Sequence, residues 1–170
     1  MSSPEEIKLE PFRQTPGLCG PAALKILLSY FGKQYTEAQL AQLCSSTLES
    51  GTEHEGIIQA TKEIGGYVFA KESGSIEELE YFIKEEKLPV IIGWFDKDGD
   101  HYSVVANITD KNIIIVDQAT NEPERWLDKA VFPRIWFDFP GKDNETVCWR
   151  WYMVVTFDKK KFKAKGGYYY

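Results

Sequence analysis

The sequence predicts an α+β domain, with helices in its N-terminal half packed on an antiparallel sheet from its C-terminal half. Three observations predict it. Apolar residues recur at helical spacing across residues 20–87, in segments bounded by capping and glycine signals and interrupted by one short strand. From residue 89 onward, β-branched and aromatic runs dominate: "PVIIGWF", "HYSVVANI", "NIIIVDQA" and "WRWYMVVTF". The first three runs are joined by the short turn-rich pieces "DKDGD" and "TDK", which suit hairpins rather than crossovers.

The elements follow in chain order. Ala22, Ala23, Ile26, Leu27, Tyr30 and Phe31 share helical spacing over 20–31, and Gly32 stops the run. Thr36 caps a short helix, "TEAQLAQLC". In "TEHEGIIQATKEIGG", Thr52 and Glu55 have the spacing of a capping box, and Gly65 and Gly66 end the segment. The strand "YVFAKE" follows, and Ser75 with Glu78 forms a second box opening "SIEELEYFIKEEK". Apolar runs such as "IIIV" imply a sheet covered by helices. Residues 121–145 read as a long connection with ordered aromatics. There is no repeat and no low-complexity linker.

Composition bounds the function. A chain of 170 residues is expected to form one domain, 1–170, with a core over about 12–157, a polar N-terminal tail and a basic C-terminal tail. The net charge of −6 argues against nucleic acid as a partner, which needs a basic face. The run "DKKKFKAK" reads as a solvated tail. No segment reaches the roughly 18 apolar residues of a membrane span. The opening "MSSPEEIKLEPF" is not a signal peptide, so a cytoplasmic protein is expected. Cys19, Cys44 and Cys148 form neither a disulfide framework nor, with the two histidines, a metal-ligand spacing, so no metal or other cofactor is expected.

The stretch "RQTPGLCGPAAL" carries the chemistry. Pro21 suits an opening helical turn, which places Cys19 at the helix start. Free N–H groups and the positive end of the helix favour an anion there, and the thiolate is a cysteine's nucleophilic form. Taken alone, Cys19 reads first as a buried helix-start thiol. A nucleophile needs a base, and of two histidines His101 opens a strand beside a turn, whereas His54 in "GTEHEG" reads as exposed and unengaged. Asp117 ends the strand that pairs with His101's strand if "TDKN" makes the hairpin, which brings the two to matching outer ends. Asp117 otherwise reads as a loop-starting aspartate. Gln14 offers an amide to an oxyanion, together with the Cys19 N–H. Four such residues, each at the end of an element, point to nucleophilic catalysis. Trp94 and Phe95 either flank a substrate groove or pack in the sheet. Cys44 reads as core, and Cys148 has no base in reach.

Gln14, "CGPAAL", "GDHYSVV" and "IIIVDQAT" together resemble the papain-like bacteriocin-processing peptidases, the double-glycine leader peptidases, over roughly residues 12–118. The resemblance implies a papain-like fold in which Cys19 is the nucleophile, His101 its base, Asp117 the orienting carboxylate and Gln14 the oxyanion donor. It implies peptide-bond hydrolysis through a thioester, after small residues such as Gly-Gly, on a peptide or protein substrate. Three departures stand out. Gln14 lies five residues before the cysteine, Gln118 replaces the proline that usually follows the aspartate, and no transporter sequence follows the sheet. A stand-alone relative is expected, with a transporter or other protein partner left open. The runner-up readings are a phytochelatin-synthase-like peptide transferase and a non-catalytic peptide-binding relative. Gly166 and Gly167 in "KAKGGYYY" read as a flexible end rather than a self-cleavable one.

Overall fold

The computed structural model of the chain describes residues 7–97, 99–120, 122 and 124–170. Residues 1–6 of the polar N-terminal tail, Asp98 of the "DKDGD" turn, and Asn121 and Pro123 of the long connection lie outside them. Three helices come first: α1 (Cys19–Ser29), α2 (Glu37–Leu43) and α3 (His54–Glu63). Strand β1 (Tyr67–Lys71) and helix α4 (Ile76–Glu80) follow, α4 running into a π-helical turn, Tyr81–Glu85. Then come β2 (Val90–Asp96), β3 (Gly99–Ile108), β4 (Asn112–Val116), β5 (Arg125–Asp128), the short pair β6 (Phe137–Asp138) and β7 (Cys148–Trp149), β8 (Tyr152–Thr156) and β9 (Tyr168–Tyr169).

Among the described residues, seven strands form one antiparallel sheet in the order β5-β4-β3-β2-β8-β1-β9. Strands β2 to β5 are a meander, as short turns require, and β8 returns to separate β2 from β1. This is the expected α+β architecture, with cover on both faces. Against one face lies α1, whose Leu24, Ile26, Leu27 and Leu28 are fully buried with Ile91, Val104 and Met153. Each such side chain contributes about 1.5–3 kcal/mol on burial. Against the other lie Leu79, Phe82, Phe132, Trp136 and Phe162, packed on Phe69, Val90, Ile92 and Tyr152. Alternation along each strand divides the two cores.

The local differences have local causes. Thr36 caps α2 in a full capping box with Gln39. Ser75 accepts the Glu78 N–H at 3.1 Å, while the Glu78 carboxylate goes to Lys71 and the Tyr152 hydroxyl. Thr52 does not cap α3: its hydroxyl bonds Ser46 at 2.6 Å, and the helix starts at His54 with Glu53 before it. The long connection supplies β5, and Arg150, in a left-handed conformation (φ 55°), separates β7 from β8 within the expected run 149–157. Among the described residues, no helix is long and apolar enough to cross a membrane.

Candidate active site

Cys19 is the first residue of α1, so its N–H lacks an intrahelical acceptor and its side chain sits at the positive helix end. Gly20 is required here for space: a Cβ would lie 2.6 Å from the Thr52 side chain, which packs on the start of α1. His101 lies in β3 opposite Trp94, and Asp117 directly follows β4. The hairpin joins them: His101 Nε2 lies 2.8 Å from Asp117 Oδ1. Nε2 donates to the carboxylate, which leaves Nδ1 as the nitrogen for Cys19, whose side chain lies close enough to act on the ring. The structure therefore brings Cys19, His101 and Asp117 together.

The charges around the imidazole decide its state. Burial alone would push His101 down, but the bond to Asp117 and the Cys19 contact outweigh it and hold the ring at about 9, up from 6.5. Burial would push Asp117 up, yet His101, the Ala119 N–H at 2.9 Å and Arg125 bring it to about 2. Arg125, from β5, donates to Asp117 Oδ2 and reaches both oxygens of Asp96, at 2.7 and 3.1 Å. Asp96, His101 and Asp117 lie close enough to resemble a metal-ligand set. The Arg125 guanidinium already supplies the cation to both carboxylates, so the cluster is a charge-matched network.

Gln14 is tied to the site through its backbone. Its backbone N–H donates to the Gln118 carbonyl at 2.9 Å, and its Oε1 is buried without a partner among the described residues. Gln118, fully buried, was not singled out as a site residue by sequence reasoning. Its Nε2 donates to the Cys19 carbonyl at 3.2 Å and to the Tyr102 carbonyl, tying α1 to β3. Its place directly after Asp117 was the available signal. Arg125 was missed because a four-residue edge strand inside a long connection carries too little periodicity to read.

Two readings are corrected. Trp94 does not line a groove: it is 1% exposed, donates to Ser103 Oγ at 2.9 Å and packs edge-on to His101, with Arg125 over its ring. It supports the imidazole from behind, because cross-strand neighbours share a face. His54 is neither exposed nor unengaged. It is 5% exposed, 2.6 Å from Asp138 Oδ2, and stacked on Trp151 at 4.0 Å. Cys44 is buried as expected, Cys148 is buried too, and burial pushes both thiols up, Cys44 to about 12.

Cys19 and His101 open onto a groove of about 550 Å³. One wall is the segment 48–53 and the other is 138–144. The walls are linked by the Gly141 N–H, which donates to Glu53 at 2.7 Å, and the Phe139 N–H ties the second wall to Asp100 of β3 at 3.0 Å. A groove of this size, lined by a thiol and an imidazole, can hold a substrate against a nucleophile.

A peptidase C39 family model matches residues 14–139, the span that carries Gln14, Cys19, His101, Asp117, Gln118 and Arg125. The chain is 31% identical over 119 residues to the pediocin PA-1 transport/processing ATP-binding protein PedD of Pediococcus acidilactici, covering 69% of this chain and 16% of that protein. It is 33% identical over 117 residues to an uncharacterized protein of Methanothermobacter thermautotrophicus, covering 69% of this chain and 75% of that one. Among solved structures, the peptidase domain of Streptococcus ComA, a bi-functional ABC transporter, superposes with TM-score 0.66 at 23% identity, covering 88% of this chain and 97% of that domain. A double glycine motif protease from an AMS/PCAT transporter, in complex with its leader peptide, gives 0.65 at 20% identity, covering 88% and 92%. These structural likenesses show the shared fold.

Proposed function

The chain belongs to the peptidase C39 family, and from that premise we propose that it is a cysteine peptidase that hydrolyses a peptide bond through a thioester acyl-enzyme. The observation that carries the reading is the His101 ring, held between Asp117 at 2.8 Å and the Cys19 side chain. His101 takes the Cys19 proton, and the thiolate attacks the carbonyl carbon of the scissile bond. A carbon–sulfur bond forms and the carbonyl electron pair moves onto oxygen. The Cys19 N–H and the Gln14 amide are assigned to that oxyanion. The intermediate collapses as the imidazolium gives its proton to the leaving nitrogen, and the amine departs. Water then attacks the thioester with His101 as base, and the second collapse releases the acid and the Cys19 thiolate. Asp117 stays ionised throughout, fixing the ring and balancing its charge.

The proposed substrate is a peptide with small residues, such as Gly-Gly, before the cut. The names of the relatives support this: one is a transport and processing protein and one a double glycine motif protease bound to a leader peptide. Incubation of the chain with a pooled peptide library containing Gly-Gly pairs, read by mass spectrometry, tests it. Cleavage by the wild type and none by Cys19→Ala is expected. Equal product from both, or none from either, would sink the proposal.

A further inference from the structure

Resting on the peptidase reading, we infer that Asp138 is a specificity-determining residue, and that the groove selects a peptide carrying a cationic side chain, lysine or arginine. The inference starts from an oxygen without a partner. Asp138 lines the groove that holds Cys19 and His101, and is 4% exposed. One carboxylate oxygen, Oδ2, is taken by His54 at 2.6 Å. The other, Oδ1, is buried with no hydrogen-bond partner among the described residues. A buried acceptor left unmade costs about 1–3 kcal/mol, more when it is charged, so a donor brought by the substrate would recover that cost.

The surroundings make that donor a cation. The carboxylates lining the groove are Glu49, Glu53, Asp100 and Asp138, against the single ammonium of Lys142 and the imidazole of His101. Glu53 and Asp100 each hold a backbone N–H of the 138–144 wall, which fixes two carboxylates within the groove. Burial first, with the Asp138 charge also contributing, pushes the Asp100 carboxyl up, as expected where like charges crowd. His54 cannot turn away to release Asp138, because it is stacked flat on Trp151 at 4.0 Å with Tyr102 edge-on at 5.9 Å. The acceptor is thus preorganised, the arrangement in which a charged pair gives discrimination between substrates. Small residues at the scissile bond are compatible with it, since the cationic side chain occupies a different position in the groove.

The test measures binding to the full chain carrying Cys19→Ala, so that peptides bind without being cut. Fluorescent peptides with a central Gly-Gly are swept at each flanking position through Lys, norleucine, Gln and Glu. At one position Lys is expected to bind about tenfold tighter than norleucine or Gln, with Glu weakest. Asp138→Asn on the same background should erase the preference. Because Asp138→Asn also disturbs His54, the exposed Lys142→Glu serves as a second variant and should enlarge the preference about threefold. Equal affinity for Lys and norleucine at every position overturns the inference, as does equal affinity for Lys and Gln. A Lys preference indifferent to both variants overturns it too. If no peptide binds, the peptidase reading falls with it; if peptides bind without charge preference, only this inference falls.

Discussion

The Gln118 side chain donates to the carbonyl of Cys19 at 3.2 Å, so the residue after the aspartate proposed to orient His101 holds the residue proposed as nucleophile. The same nitrogen serves the Tyr102 carbonyl, next to His101, and the Gln118 carbonyl takes the Gln14 N–H. One buried residue therefore sets the spacing of α1, β3 and the segment carrying Gln14. Gln118→Ala would orphan two carbonyls at a cost of about 1–3 kcal/mol in urea unfolding. The chain should still fold, with peptide turnover down about a hundredfold from the lost alignment. Unchanged turnover would mean that Gln118 contributes packing alone.

The pH dependence of stability follows from the charged pair. Asp117 is lowered from 3.8 to about 2, so its contribution is present above pH 3.8 and is lost as pH falls through 2. His101 is raised from 6.5 to about 9, so its contribution is present below pH 6.5 and is lost as pH rises through 9. The difference in unfolding free energy between wild type and Asp117→Asn should peak between these limits. On the acid side it should vanish. On the alkaline side it should fall to what Arg125 alone retains through its ion pair with Asp117. A flat difference across the range would contradict the pairing.

The three thiols should separate by reactivity. Cys44 and Cys148 are buried and pushed up, which keeps them in the inert thiol form at neutral pH. Cys19 lines the open groove beside the imidazole. Iodoacetamide at neutral pH, followed by peptide mapping, should label Cys19 first, and His101→Ala should slow that labelling about tenfold or more. Labelling at a rate indifferent to His101→Ala would break the assigned pair.

What the sequence made legible divides along physical lines. Helix α1, the β2–β3–β4 hairpins and the meeting of His101 with Asp117 follow from local periodicity and turn chemistry, which a single chain displays. His54 does not follow: its burial depends on Asp138, 84 positions away, and on a flat contact with Trp151. The Thr52–Glu55 spacing also misled, since Thr52 finds Ser46 before it finds the helix. Gln118, Arg125 and the two groove walls are likewise products of tertiary approach. His54→Ala is accordingly predicted to act as a core mutation. It leaves the Asp138 carboxylate buried and unpaired, at about 3–5 kcal/mol in urea unfolding. A change of only a few tenths would return His54 to the surface role that its sequence context suggests.

The C-terminal segment offers the last prediction, because it is part of the fold rather than a flexible end. Phe162 is buried against Phe69 and Phe82, and Tyr169 stacks on it and pairs with Phe69 across the β1–β9 edge. Gly167 has no space for a side chain, since a Cβ would lie 2.5 Å from the Phe69 ring. The Gly166–Gly167 pair is thus held against the sheet edge and does not line the groove, so the intact mass of the chain should stay constant on long incubation. Phe162→Ala should cost about 3–5 kcal/mol in urea unfolding, as a large core truncation does. Gly167→Ala should destabilise through the clash with Phe69. If both variants unfold with the wild type, the segment is a passive tail. If they unfold early, the core extends past residue 157 and the edge of β1 is closed by the chain's own end.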